Sequence, residues 1–375
     1  MPARASKSAL QQKKKSSRFQ RMCFPLVFVA FVGTIMMLNG QYAALVSLRD
    51  TANAVSAARN AEAQTVDSSI DTASVDREPS PWTSTSTSLH CRVGKPPWSD
   101  LTMEDWESYV RKFVEIWKNS PDKTNTGGGG FFHYFGIFVT IQLLQPTAIV
   151  ESGAWTGVGT WFLRQSAGPK VKIVVISPNQ PTTYVDNVNA LYLTQNKFVD
   201  FGKTTSLQWA EWVPDVKKTL LFLDDHQAGT KRLMQAKALG FRHLWYDDNY
   251  PPIYGDNLAL KQICTGMALW NFLGESQAVY KDDFNSVSKP MTPAEFQKQE
   301  LLFHNNVEVY AEFPPVWRGP SRFPGLNETV IDLVSEKPLL TKAQVQAAGI
   351  DDSNIPGWDH ETRKYTFVLY VQIKH

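Results

Sequence analysis

Hydrophobic positions divide this chain into three unlike parts. Residues 22–38, MCFPLVFVAFVGTIMML, carry no charge, and with NGQYAALV the uncharged run extends to Val46. About twenty helical residues span a hydrocarbon core, so 22–46 predicts one transmembrane helix. Residues 51–90 reverse the balance, being rich in Ala, Ser and Thr and poor in large apolar groups. Such a segment buries too little surface to offset its ordering entropy, and 47–94 reads as a low-complexity stem. From residue 95 the pattern becomes periodic and predicts one folded domain, 95–375.

Within that domain the periods name the elements. In LTMEDWESYVRKFVEIWKNS, Thr102 and Asp105 stand at capping-box spacing, and Trp106, Tyr109, Val110, Phe113 and Ile116 share one helical face. FFHYFGIFVTIQLLQP predicts a buried helix stopped by Pro146. Four glycines, 127–130, precede it and read as a linker or a hinge. Short apolar runs at 148–152, 172–177, 197–201, 219–225 and 241–248 then alternate with amphipathic stretches. Between the last two, Leu233, Ala236 and Leu239 fall at helical spacing. A helix over 257–273 and strands at 307–313 and 365–374 follow. This alternation predicts an α/β fold with a mostly parallel sheet and a C-terminal antiparallel strand.

Charge orients the chain. Seven of its positive charges, Arg4 to Arg21, precede residue 22 with no acid among them; the formal total is +2, which leaves the remainder at −5. A basic leader before an apolar run places 1–21 in the cytosol and the body in the lumen of the Golgi or endoplasmic reticulum. A cleaved signal peptide and an organelle transit peptide are the competing readings. The acidic body excludes nucleic acid as the main partner. The three cysteines form no CxxC or Cys/His cluster, which argues against a cysteine-ligated zinc site. Cys91 and Cys264 either pair in an oxidising lumen or stay as buried thiols, the latter slightly preferred. Asn327, in NET, is an acceptor sequon that suits luminal exposure.

The segment IVESGAWTGVGTWFL (149–163) carries the first candidate chemistry. An apolar strand ends in Glu151, and Gly153, Gly157 and Gly159 follow. Ligands of open α/β sheets lie outside the carboxyl ends of strands, and a helix start offers unpaired N–H groups. An ordinary tight turn is the plainer reading. The segment resembles the first motif of class I S-adenosylmethionine-dependent methyltransferases, nearest to catechol-type O-methyltransferases and cephalosporin-hydroxylase-like, sugar-modifying relatives. The resemblance implies a Rossmann-like, doubly wound sheet. It also implies that Glu151, Gly153, Ala154, Trp155, Gly157 and Gly159 hold the methionine end of S-adenosylmethionine. Ser177 stands where that family places an acid on the ribose, and a neutral hydroxyl grips less strongly.

LLFLDDHQ and HLWYDDNYPP place Asp224, Asp225, Asp247, Asp248 and Asn249 at two further strand ends. Oxygen ligands of this kind suit Mg²⁺, Ca²⁺ or Mn²⁺; helix capping is the plainer role for either pair alone. The resemblance selects Asp225, Asp248 and Asn249 as ligands of a divalent cation, Mg²⁺ by analogy. The cation would hold two neighbouring acceptor oxygens and acidify one. His226 is the first candidate for general base, with a place in the cofactor pocket as its alternative; Lys231 is the second. Tyr250, Pro251, Pro252 and Tyr254 would wall the mouth for a ring-shaped substrate, and His133 and Tyr134 read as helix-packing residues. The expectation is a membrane-anchored, metal-assisted O-methyltransferase acting on a saccharide or other diol. A luminal metal-dependent glycosyltransferase and a non-catalytic scaffold are the alternatives.

Overall fold

The computed structural model describes residues 91–272, 279–283, 285–323, 326 and 328–375. The basic leader, the apolar segment 22–46, nearly all of the stem and Asn327 lie outside them. Among the described residues no helix is long and apolar enough to cross a membrane.

Among the described residues ten strands form: β1 (Arg92–Val93), β2 (Ala148–Ser152), β3 (Lys172–Ser177), β4 (Ala190–Thr194), β5 (Thr219–Leu223), β6 (His243–Tyr246), β7 (Val279–Tyr280), β8 (Lys289–Pro290), β9 (Val307–Glu312) and β10 (Leu369–Ile373). Eight of them make one sheet in the order β1-β9-β10-β6-β5-β2-β3-β4, and β7 with β8 makes a separate ribbon. From β4 to β6 every pairing is parallel. β10 inserts antiparallel between β6 and β9, and β1 adds an antiparallel edge. The architecture is the expected α/β, Rossmann-like one. Pairing of Arg92 with Ala311 brings the folded body forward of its expected start at residue 95.

Both faces of the sheet are covered, which is why β2 is buried along its whole length. Ile149 joins the core on one face, with helices Met103–Trp117, Phe131–Leu144 and Val158–Ala167. Ala148 and Val150 join the opposite core, with helices Ser206–Trp212, Gly229–Leu239 and Pro293–Asn306. The first core takes most of the aromatic side chains; Phe113 alone meets Trp117, Phe131, Phe135, Phe138 and Phe162. The Thr102–Asp105 capping box forms as expected. Gly130 caps the next helix, and its first N–H (Phe131) donates to Glu361 at 2.8 Å. The glycine run therefore ends in a packed cap rather than a plain linker.

Three expectations need correction. The strand expected at 197–201 is instead β4, upstream, and 195–203 holds two short 3₁₀ turns. Gln195 takes φ +54°, and the Asp200 side chain accepts from Gly202 N–H, both of which favour a turn over a ladder. The helix expected over 257–273 is broken into Leu260–Cys264 and Gly266–Phe272, with Gly266 at φ +61°. Cys91 and Cys264 are disulfide-bonded, not free thiols, with Cα atoms 5.9 Å apart.

Candidate functional site

Register brings three strand ends abreast. Ser152 pairs with Leu223, and Leu223 with Tyr246. Asp224 N–H then donates to Ser152 O, and Asp247 N–H to Leu223 O. The turn after β2 is pressed against this edge. Gly153 has φ +95°, and a Cβ there would lie 2.0 Å from Asp224 O; Gly157 has φ +91°, and its Cβ would lie 2.1 Å from Tyr184 O. Both glycines are required by close backbone approaches within the protein itself. Trp155, between them, takes φ +43° and is 67% exposed, whereas Ala154 is buried.

Side-chain alternation then sorts the acids. Successive residues of a strand face opposite sides. Glu151, Asp224 and Asp247 fall on the side of helices Phe131–Leu144 and Val158–Ala167. Ser152 and Asp225 fall on the other side, where Ser152 Oγ donates to Asp225 Oδ2 at 2.5 Å. Arg232, 1% exposed, closes on the same carboxylate at 2.8 Å and on Asp200 at 2.8 Å. Asp225 is thus an internal anchor for helix Gly229–Leu239 and not part of the expected ligand set. Asn249 departs from that set too. Its Nδ2 donates to Tyr310 Oη at 3.0 Å, and its Oδ1 accepts from Lys261 N–H at 2.8 Å. Tyr310 donates to Glu312, which is paired with the buried Lys261 ammonium at 2.6 and 2.7 Å.

What the strand ends do bring together is Asp224, His226 and Asp248, whose ligand atoms lie within 4.8 Å of one another. Burial, then Asp247, Asp248 and Glu151, push the Asp224 carboxyl well above the usual carboxylate range. Burial and Asp247 also push Asp248 up, against His226 and His133. His226 takes φ +51°. Its Nδ1 faces Asp256 at 3.1 Å and Asp248 at 3.4 Å. The Asp256 bond, with Asp248 behind it, raises its pKa to about 9. A cation held between Asp224 and Asp248 would displace that proton, because a metal-ligating imidazole is neutral, and a ring held by the cation is not free to act as a base. Lys231 is exposed on the following helix, with its Nζ donating to Gln227 Oε1 at 2.7 Å.

Glu151 is 1% exposed. Its Oε2 accepts from Thr160 at 2.5 Å, and its Oε1 has no partner among the described residues. Burial raises its pKa to about 8, and Asp247 adds to the rise. A Cβ on Gly159 would lie 2.6 Å from that same Oε1. Asp247 repeats the pattern: Oδ2 meets His133 Nδ1 at 2.9 Å, while Oδ1 is buried without a partner among the described residues. His133 Nε2 faces Lys364 O at 2.8 Å, so both ring nitrogens of this helix-borne histidine face acceptors. Tyr134 Oη accepts from Asn125, and its ring stacks on Phe162 at 4.2 Å. Ser177 is buried at the end of β3. Asn179, beyond it, is exposed.

The donor set of two carboxylates and one imidazole fits a divalent cation at Asp224, His226 and Asp248. The unpartnered Glu151 Oε1 fits a hydrogen-bond donor such as an amino-acid ammonium group. Alternation along β5 was the signal that separates Asp224 from Asp225. The apolar face containing Leu233 and Ala236 also contains Arg232, which was the signal for its burial.

No protein-family model matches the chain, and no curated protein matches it. Among solved structures, a cyclopropane-fatty-acyl-phospholipid synthase-like protein from Lactobacillus casei ATCC 334 matches at 11% identity and a TM-score of 0.26, covering 65% of this chain and 91% of that one. A likeness of that degree leaves the chemistry to be read from this chain's own residues.

Proposed function

We propose that the chain is an S-adenosylmethionine-dependent methyltransferase that transfers a methyl group, with a divalent cation, to a hydroxyl of a saccharide or other diol. The observation that carries this reading is the arrival of Glu151, Asp224, His226 and Asp248 at neighbouring strand ends, beside the glycine turn that resembles the family's first motif. Glu151 would accept from the amino-acid end of the cofactor, ionising as its buried oxygen gains that partner. Asp224, His226 and Asp248 would hold the cation, which when bound supplies Lewis acidity to two neighbouring acceptor oxygens. Tyr250, whose hydroxyl bonds Asp248, would wall the mouth and orient the acceptor. Neither His226 nor Lys231 stands as a base here, and the acceptor proton would pass to solvent.

The charge asymmetry around 22–46 supports a type II anchor, with the body in the secretory lumen. The Cys91–Cys264 disulfide supports the same oxidising compartment. Retention on immobilised S-adenosylhomocysteine, against immobilised sugar nucleotides, tests the cofactor class. Binding to the first resin and not the second is expected. The opposite pattern would turn the reading to a glycosyltransferase, and retention on neither to a scaffold.

A further inference from the structure

We propose that Arg322 selects the acceptor, and that the acceptor carries an oxyanion (a carboxylate, sulfate or phosphate group) besides its two neighbouring hydroxyls. The role in choosing an acceptor rests on the methyl-transfer reading; the binding of an anionic diol at this mouth does not.

The wall of the mouth is a set of packed rings. Tyr250 and Phe323, both buried, meet edge to face at 6.2 Å. Tyr254 packs on Phe323 at 4.8 Å, and Phe367 stacks on it at 5.7 Å. Arg322 lies over this wall, its Cζ 5.6 Å from the centre of the Tyr250 ring and 5.7 Å from that of Phe323. Aromatic faces hold a guanidinium by its charge and leave its in-plane N–H fork for a ligand. Arg322 is exposed, and its N–H donors have no acceptor among the described residues. The acids at hand are committed elsewhere: Asp248 and Asp256 both turn to His226, at 3.4 and 3.1 Å. Covering the rings accounts for the stem of Arg322. It does not account for a planar, charged head without an acceptor.

Position ties this fork to the site rather than to the surface at large. The Tyr250 hydroxyl bonds Asp248, one of the three cluster ligands. The guanidinium and the cation site therefore flank a single side chain. Strain marks the same wall: Phe367 takes φ +59°, and Ile253, three residues after Tyr250, takes φ +68°. Non-glycine residues in that region cluster at ligand clamps. The cofactor's amino-acid end belongs on the other side. Glu151 stands on β2, which β5 separates from β6, a distance of about 10 Å at the usual strand spacing. After β6 the chain turns the opposite way, towards β10, where Asn249 N–H donates to Thr366 O at 3.1 Å. Arg322 thus faces the acceptor side. A guanidinium fork matches the paired oxygens of a carboxylate, phosphate or sulfate. An amine-bearing acceptor would be repelled, and a neutral one would leave the charge unused.

Calorimetric titration of the full chain, kept in a sugar-free zwitterionic detergent with Mg²⁺ and S-adenosylhomocysteine, tests the assignment. The probes are methyl glucoside and methyl galactoside, their uronic-acid counterparts, and their sulfate and phosphate monoesters. At least one anionic probe should bind about tenfold tighter than its neutral parent. That is the low end for a hydrogen bond to a charged group, as suits an exposed guanidinium. The leading probe identifies the anion. Arg322→Gln should remove the preference and leave the neutral parent within about threefold. Arg322→Lys, which keeps the charge and loses the fork, should retain only part of it. Equal binding of neutral and anionic probes, binding of none, or an unchanged preference in folded Arg322→Gln overturns the proposal. So does a loss confined to S-adenosylmethionine binding in Arg322→Gln, which would give Arg322 to the cofactor. If Arg322→Gln does not fold, Arg322→Lys decides, and an undiminished preference there overturns the proposal. S-adenosylmethionine titrated into samples without S-adenosylhomocysteine separates the two readings. Anion-selective binding without cofactor heat keeps this site and removes the methyltransferase, and cofactor heat without anion selectivity does the reverse.

Discussion

Arg232 offers the sharpest test of how the strand ends are sorted. Its guanidinium is 1% exposed, and the Asp225 carboxylate beneath it is 14% exposed. Replacing it by Met keeps the apolar stem and its packing near Phe201 but removes the charge. Asp225 would then keep only the Ser152 hydroxyl, and Asp200 would lose both of its guanidinium bonds. Breaking a buried pair from one side costs about 3–5 kcal/mol. For a domain of this size that lowers Tm by on the order of 10 °C. Asp225→Asn should cost less, about 1–3 kcal/mol, because Arg232 retains Asp200. In the double variant the losses should fall short of their sum by about 1–3 kcal/mol. Urea denaturation of the four proteins measures the cycle. Titration with Mn²⁺, followed by its electron paramagnetic resonance signal, adds the functional half. Asp225→Asn should leave cation affinity within about tenfold, whereas Asp248→Asn should lower it by more than about tenfold. Additive stability losses, or loss of Mn²⁺ binding in Asp225→Asn at unchanged stability, would refute the assignment of Asp225 as an anchor.

Other expectations are as direct. Gly153→Ala sets a Cβ 2.0 Å from the Asp224 carbonyl at φ +95°, so it should leave no soluble folded protein, as read by expression and circular dichroism. Burial holds the Glu151 carboxyl protonated up to about pH 8, against 4.5 ordinarily, so the folded state keeps a proton that the unfolded chain releases. Its stabilising effect is full below pH 4.5 and fades as pH rises towards 8, and Glu151→Gln should remove that slope from the pH–stability curve. His243 behaves oppositely: burial lowers its pKa to about 4 from 6.5, so stability should fall as pH drops between those values. His243→Phe, which keeps the ring beside Tyr370, should flatten the fall. Reduction of the Cys91–Cys264 bond, which spans 173 residues, should lower the urea midpoint by an amount worth about 2–5 kcal/mol.

The sheet was legible because its strands are continuous apolar runs ended by acids or turn residues, as in AIVES and TLLFLDD. The capping box at Thr102 and the Pro146 stop were legible for the same local reason. The edge strand was not: ALYLT is the more apolar run, and in KFVDF Asp200 is drawn off to Arg232 and a turn forms. The acids at the strand ends were visible as a group, but their division was not read. Resemblance pointed to Asp225 and Asn249, whereas pleat alternation gives Asp225 to Arg232, and the Lys261–Glu312–Tyr310 network takes Asn249. Long-range partners such as His133 for Asp247, 114 residues apart, have no local signature at all.

The most direct measurement is calorimetric titration of the full chain with S-adenosylmethionine, with and without Mg²⁺, in wild type, Glu151→Gln and Asp248→Ala. Cofactor heat in wild type that is lost in Glu151→Gln, together with Mg²⁺ heat lost in Asp248→Ala, is the expected result. Wild-type protein that takes up neither, or that binds both unchanged in the two variants, would contradict a shared cofactor and cation site at the ends of β2, β5 and β6.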